Sequence, residues 1–179
     1  MNDTFISTTL TEASYNSLER VAQYALPGIA DRKNNSNKVQ VYNITYVPSV
    51  QKATLSIKAK ARTTQGSVYD MVVRFDSNVA FVEEDNVPNV SFIAVDGKDY
   101  FIKAPFAHKS KIKVKCSCLD FYYRFSVWND QKDAHVDPPP VPYVKKTDRP
   151  PVNPRRQAGV CKHLIKFINT LKAEGIVNP

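Results

Sequence analysis

The sequence predicts an α+β domain: an N-terminal helix, an antiparallel sheet, and a C-terminal strand, loop and helix held together by a metal. Three observations predict it. Ala53, Leu55, Ile57, Ala59 and Ala61 alternate with Lys52, Thr54, Ser56, Lys58, Lys60 and Arg62, the period of two that marks a half-buried strand. Further short strand-like runs follow with brief turns, which only antiparallel neighbours allow. Cys116 and Cys118 form one short clip, and Cys161 and His163 form another, which together use every cysteine of the chain.

Taken in order, residues 11–25 place Tyr15, Leu18, Val21, Ala22 and Ala25 at helical spacing, with Thr11 as the expected cap and Leu26-Pro27-Gly28 as the stop. The polar run 31–38 reads as a loop. Strands are expected at 39–47, 52–62, 69–75, 78–82 and 90–95, and Asp96-Gly97 turns the chain into another at 100–104. In 109–118, Ile112, Val114, Cys116 and Cys118 alternate with Lys109, Lys111, Lys113 and Lys115. Both cysteines therefore fall on the core face, and the lysines are expected in solvent. Residues 121–128 are aromatic and read as helix, with Asp120 as a cap. The segment 137–154 holds seven of the twelve prolines, so it is an extended, polyproline-like insertion. Val160, Leu164, Phe167, Ile168 and Leu171 form the stripe of a last helix ending at Gly175. The chain divides into 1–108, helix and β region, and 109–179, the metal-clamped module, packed as one domain.

Composition narrows the function. A chain of 179 residues with 42% hydrophobic residues supports one good core. No stretch approaches the ~20 apolar residues of a membrane span, so no membrane partner is expected, and the polar N-terminus lacks a signal peptide's pattern. Three cysteines suit a reducing compartment better than a disulfide scaffold. There is no phosphate-binding glycine loop, no nucleophile elbow, and no base paired with Asp70, Glu83, Glu84 or Asp85. An enzyme is not expected.

Three thiolates and one imidazole are the ligands of a closed, tetrahedral structural zinc site, which leaves no position for substrate. Cys116 and Cys118 come from a strand end, Cys161 and His163 from the first turn of a helix, where amide dipoles favour thiolate. Lys115 and Lys162 favour it too. The plain alternative is three packing cysteines and a solvated histidine; a Cys116–Cys118 disulfide would close a strained ring. His108 and His135 lie outside both clips and read as surface residues.

The pattern Cys-x-Cys, spacer, Cys-x-His resembles the SWIM-type zinc finger, whose first pair sits on a β-hairpin and second at a helix start. Cys116, Cys118, Cys161 and His163 match its four ligand positions, although the spacer of 42 residues is long for that family. A wider set of motifs resembles a family of small proteins of tailed bacteriophages, many of them marine and related to contractile-tailed phages. These motifs are Ser14-Tyr15-x-x-Leu18, Leu26-Pro27-Gly28-Ile29-Ala30, Cys116-Ser117-Cys118-x-Asp120-Phe121, Tyr143-Val144-x-Lys146, Arg149-Pro150-Pro151-x-Asn153-Pro154 and Gly159-Val160-Cys161-Lys162-His163. That resemblance implies a virion component, assembled in the host cytoplasm, present in multiple copies in a symmetric assembly and bound to other phage virion proteins.

The formal charge of +8 adds polyanions to the expected partners. Lys109, Lys111, Lys113 and Lys115, with the basic face of 52–62, would meet nucleic-acid phosphates, or serve as solvated strand faces that deter aggregation. Arg155 and Arg156 extend this contact set to nucleic acid or an acidic protein neighbour. The insertion 137–154 is expected to be a docking arm, its alternative being a loop packed on its own domain. The expected function is a non-enzymatic virion component whose zinc site stabilises that arm; the alternative is a SWIM-type nucleic-acid-binding protein acting in the infected cell.

Overall fold

The computed structural model describes residues 14–24, 35–76, 79–82, 89–103, 110–144 and 146–178. The expected cap Thr11, the stop at 26–28, Lys109 and His108 lie outside them. The fold is mixed α+β with two antiparallel sheets. Strands β1 (Val39–Ser49), β2 (Thr54–Thr63), β3 (Val68–Phe75) and β7 (Ile112–Cys116) form the larger, in the order β1-β2-β3-β7. Strands β4 (Phe81–Val82), β5 (Asn89–Ile93) and β6 (Asp99–Lys103) form the smaller, in the order β4-β6-β5.

The period of two in β2 fixes the large sheet. Leu55, Ile57, Ala59 and Ala61 all face inward and are buried. Antiparallel register extends three of them into rows: Leu55–Phe75–Ile112, Ile57–Val73–Val114 and Ala59–Met71–Cys116. Cys116 thus ends an apolar row, set there by the same alternation that buries Val114. Strand β2 starts two residues later than the alternation suggests, because Ala53 adopts φ 47° in the preceding turn and cannot extend.

Helix α3 (Lys162–Ala173) lies on this inward face and buries Leu164, Phe167, Ile168 and Leu171. It contacts β1, β2, β3 and β7. Gly175, at φ 75°, ends it by donating its N–H to Lys172 O. Helix α1 (Tyr15–Tyr24) begins later than a Thr11 cap implies; Ser14 caps it, its Oγ accepting from Ser17 N–H while Ser17 Oγ accepts from Ser14 N–H. In the small sheet, the expected hairpin turns through Gly97 at φ 76°, and Tyr46 of β1 stacks on Phe92 of β5 at 4.6 Å.

Between β7 and α3 the chain departs from expectation in two ways. Residues 119–131 form one helical run, α2, in which Tyr122–Ser126 is a π-turn between α-helical ends Leu119–Phe121 and Val127–Gln131. The chain then doubles back, and residues 134–136 lie parallel to β7, with Val114 N–H bonding Ala134 O and Val136 N–H bonding Val114 O. This return pairs with the edge of β7, and the lysine side of the strand is half-buried rather than solvated. His135, expected at the surface, is 6% exposed and stacks on Phe121. No helix among the described residues is long and apolar enough to cross a membrane.

Candidate metal centre

The end of β7 delivers Cys116 on the buried face, and the chain leaves the sheet at Ser117, whose Oγ accepts from Asp70 N–H and whose own N–H bonds Asp70 O. That two-way tie holds Cys118 at the start of α2, where it serves as the N-cap: Phe121 N–H donates to Cys118 Sγ at 3.3 Å. Cys161 stands at the N-cap position of α3, without a side-chain capping bond, and His163 stands in its first turn. The amide ends of two helices therefore converge on the sulfurs, a field that favours negative charge.

The ligand atoms of Cys116, Cys118, Cys161 and His163 all lie within 4.8 Å of one another. His163 Nδ1 stands 3.9 Å from both Cys116 Sγ and Cys161 Sγ. All four side chains are buried, none more than 4% exposed, and the three cysteines are free thiols rather than disulfides. Tyr69 of β3 covers the His163 ring at 4.6 Å. His163 Nε2 is buried and has no hydrogen-bond partner among the described residues.

Proton sharing shows what the cluster lacks without a cation. Cys118 is drawn far below the usual thiol range, first by the Cys116 thiol, then by Cys161, with His163 and the Phe121 amide assisting. Cys116 is pushed up by sharing its proton with Cys118, and Cys161 is pushed up chiefly by burial. A bound cation supplies the charge that lets all three ionise, with release of protons. These four residues lie close enough together to hold a metal ion.

Two buried asparagines tie the 119–160 excursion to itself. Asn129 Nδ2 donates to Gly159 O at 3.0 Å and its Oδ1 accepts from Gly159 N–H at 2.7 Å. Asn153 Nδ2 donates to Arg124 O and Gln157 O, while its Oδ1 accepts from Gln157 N–H. Sequence reading passed over Asn129 and named Asn153 only inside a motif; a buried asparagine has no local signature.

The other predicted contact residues are not gathered at this centre. Lys111 pairs with Asp133 at 2.8 Å, and Lys113 with Asp133 and Asp76. Lys115 is half-buried. Arg155 and Arg156 are exposed, with Arg156 over the Trp128 ring. No family model, curated protein or solved structure matches the chain.

Proposed function

We propose that this protein is a non-catalytic component of a tailed-phage particle, in which a structural zinc ion clamps a proline-rich docking arm to a small α+β body. The buried Cys116–Cys118–Cys161–His163 cluster carries the reading. Zinc bound tetrahedrally at about 2.3 Å to sulfur and 2.0 Å to nitrogen places a nitrogen and a sulfur ligand ~3.5 Å apart, close to the 3.9 Å found. A set of soft sulfur ligands without carboxylate disfavours magnesium, calcium and manganese. The burial of all four ligands favours a structural role over a catalytic one, and their position at both roots of the excursion supports a clamp. A strand-end pair and a helix-start pair also support a SWIM-like module, with Cys118 capping a helix in place of a hairpin position.

The setting rests on the motifs that resemble the tailed-phage family. Two measurements test it. Elemental analysis should return one zinc per chain, and Cys161→Ser should lose both the metal and cooperative folding; unchanged zinc content and melting in that variant refute the site. Mass spectrometry of purified particles should find the protein at fixed copy number, and its absence from particles sinks the virion assignment. The rival nucleic-acid reading draws on the +8 charge, but the pairing of Lys111 and Lys113 with Asp133 and Asp76 weakens it.

A further inference from the structure

Beside the arm, the π-turn of α2 and the segment 142–153 enclose a groove of about 650 Å³. This lies within the roughly 300–1,000 Å³ of pockets that bind ligands or a few residues of chain. Tyr123, Val127, Trp128, Tyr143, Arg149 and Pro151 are among its walls. The π-turn has a visible consequence here: it brings Tyr122 and Tyr123 to the same wall as Val127 and Trp128. Tyr123 and Tyr143 stay 41% and 45% exposed, and Val144 and Val152 of the arm 74% and 48%. Aromatic and arginine side chains half-desolvated in a concave site are the composition of protein-binding hot spots.

Charge selects the occupant. Residues 142–157 carry Lys145, Lys146, Arg149, Arg155 and Arg156 against one acid, Asp148. Among the described residues, no carboxylate pairs with Lys146, Arg149, Arg155 or Arg156, whereas Arg124 is held by Asp120. The rings decide between polyanions. Tyr122 meets Tyr123 at 61° and Tyr123 meets Tyr143 at 71°, so they form no row of parallel faces for successive bases. Arg156 already lies over Trp128. Resting on the docking-arm reading above, we infer that this groove binds an extended acidic protein segment bearing an aromatic or aliphatic anchor. The anchor packs against the Tyr123–Tyr143 pair beside Val127 and Trp128, and its flanking carboxylates meet Arg149 and the exposed arginines beyond.

The test selects displayed random dodecapeptides on the immobilised zinc-loaded protein. Enriched peptides should place acidic residues on either side of a large apolar one. Arg149→Glu and Tyr143→Ala, both surface changes, should each weaken these peptides about tenfold or more. Lys58→Glu, the same charge change on the exposed side of β2, should alter binding by less than about twofold. Peptides without acidic bias, equal losses in Lys58→Glu, or displacement from the groove by oligothymidylate each overturn the inference. Zinc content of the same sample separates the two readings. A zinc-free chain that still selects acidic peptides removes the clamp and keeps the groove, whereas a zinc-loaded chain that selects neutral peptides does the reverse.

Discussion

Asn129 and Gly159 show how single residues hold the excursion in place. The Asn129 side chain has no exposed surface and satisfies both backbone groups of Gly159. Asn129→Ala leaves a buried N–H and a buried C=O unpaired, at about 1–3 kcal/mol each. Gly159 must itself be glycine, since a Cβ there would stand 2.7 Å from Phe125 Cε1. Gly159→Ala should cost about 1–3 kcal/mol by overpacking, and Phe125→Leu in the same chain should recover part of that. Urea midpoints of the zinc-loaded proteins read both losses; a neutral Asn129→Ala would refute the bracket. His135 gives a pH prediction. Burial, then the charge of Lys115, lowers its pKa below 6.5, against weaker opposing pulls from Asp130 and Asp137. The folded state thus prefers neutral imidazole, and its contribution is full above pH 6.5 and lost as pH falls through the lower folded value. Stability of His135→Phe should therefore fall less than wild type on acidification from pH 7, as melting temperatures at matched zinc will record. Parallel curves would show that His135 does not titrate in this range. None of these partnerships was legible in the sequence, because each joins residues 14 to 34 positions apart without any pattern between them.

At the scale of elements, the sequence was a good guide wherever periodicity was local. The alternation in β2, the Asp96-Gly97 turn and the α3 stripe each specify their own geometry, and each is found, with β2 starting only at Thr54. The four ligands were legible because the two clips lie within three-residue windows; periodicity places Cys116 on the strand end and Cys161 with His163 at a helix start, whereas Cys118, expected on the strand, caps α2 instead. What was hidden is what depends on distant chain. The π-turn has no pattern of its own, and the lysines of β7 alternate correctly yet pair with Asp133 and Asp76, while residues 134–136 bridge β7 at its edge, where nothing local brings them back. The legible and the hidden parts differ in energy. Phe167 on α3 has no exposed surface, so Phe167→Ala should cost about 3–5 kcal/mol. Asp133 is 60% exposed beside Lys111 and Lys113, so Asp133→Asn should cost no more than about 1 kcal/mol. Denaturant titration of the two variants should separate them clearly. A large loss from Asp133→Asn would mean that the ion pairs, and not the backbone bridge to Val114, hold the return segment on β7.

For the whole molecule, the proposed zinc acts as a cross-link between two regions that the chain otherwise joins only through the excursion. Cys118 and Cys161 bracket 42 residues, and a covalent link closing a loop of that length would lower unfolded-state entropy by an equivalent of about 4 kcal/mol. Metal coordination adds its own bonding, on the order of 10 kcal/mol in structural sites. A domain whose total stability is about 5–15 kcal/mol cannot lose that and stay intact. Chelation should therefore do more than loosen the arm. Without metal, burial and shared protons hold Cys116 and Cys161 toward the thiol form, so the junction of β7, α2 and α3 loses a cross-link. Leu164 and Phe167 of α3 cover the inward face of the large sheet, so that face is exposed with it. The expected result is a lowering of the melting temperature by well over ~10 °C on chelation, reversed by stoichiometric zinc. Trypsin cleavage should rise not only at Lys146 in the arm and Arg155 just after it but also at Lys58 and Lys60 in β2. Cleavage that rises in the arm alone would show a metal that orders the excursion while the sheet and α3 fold without it.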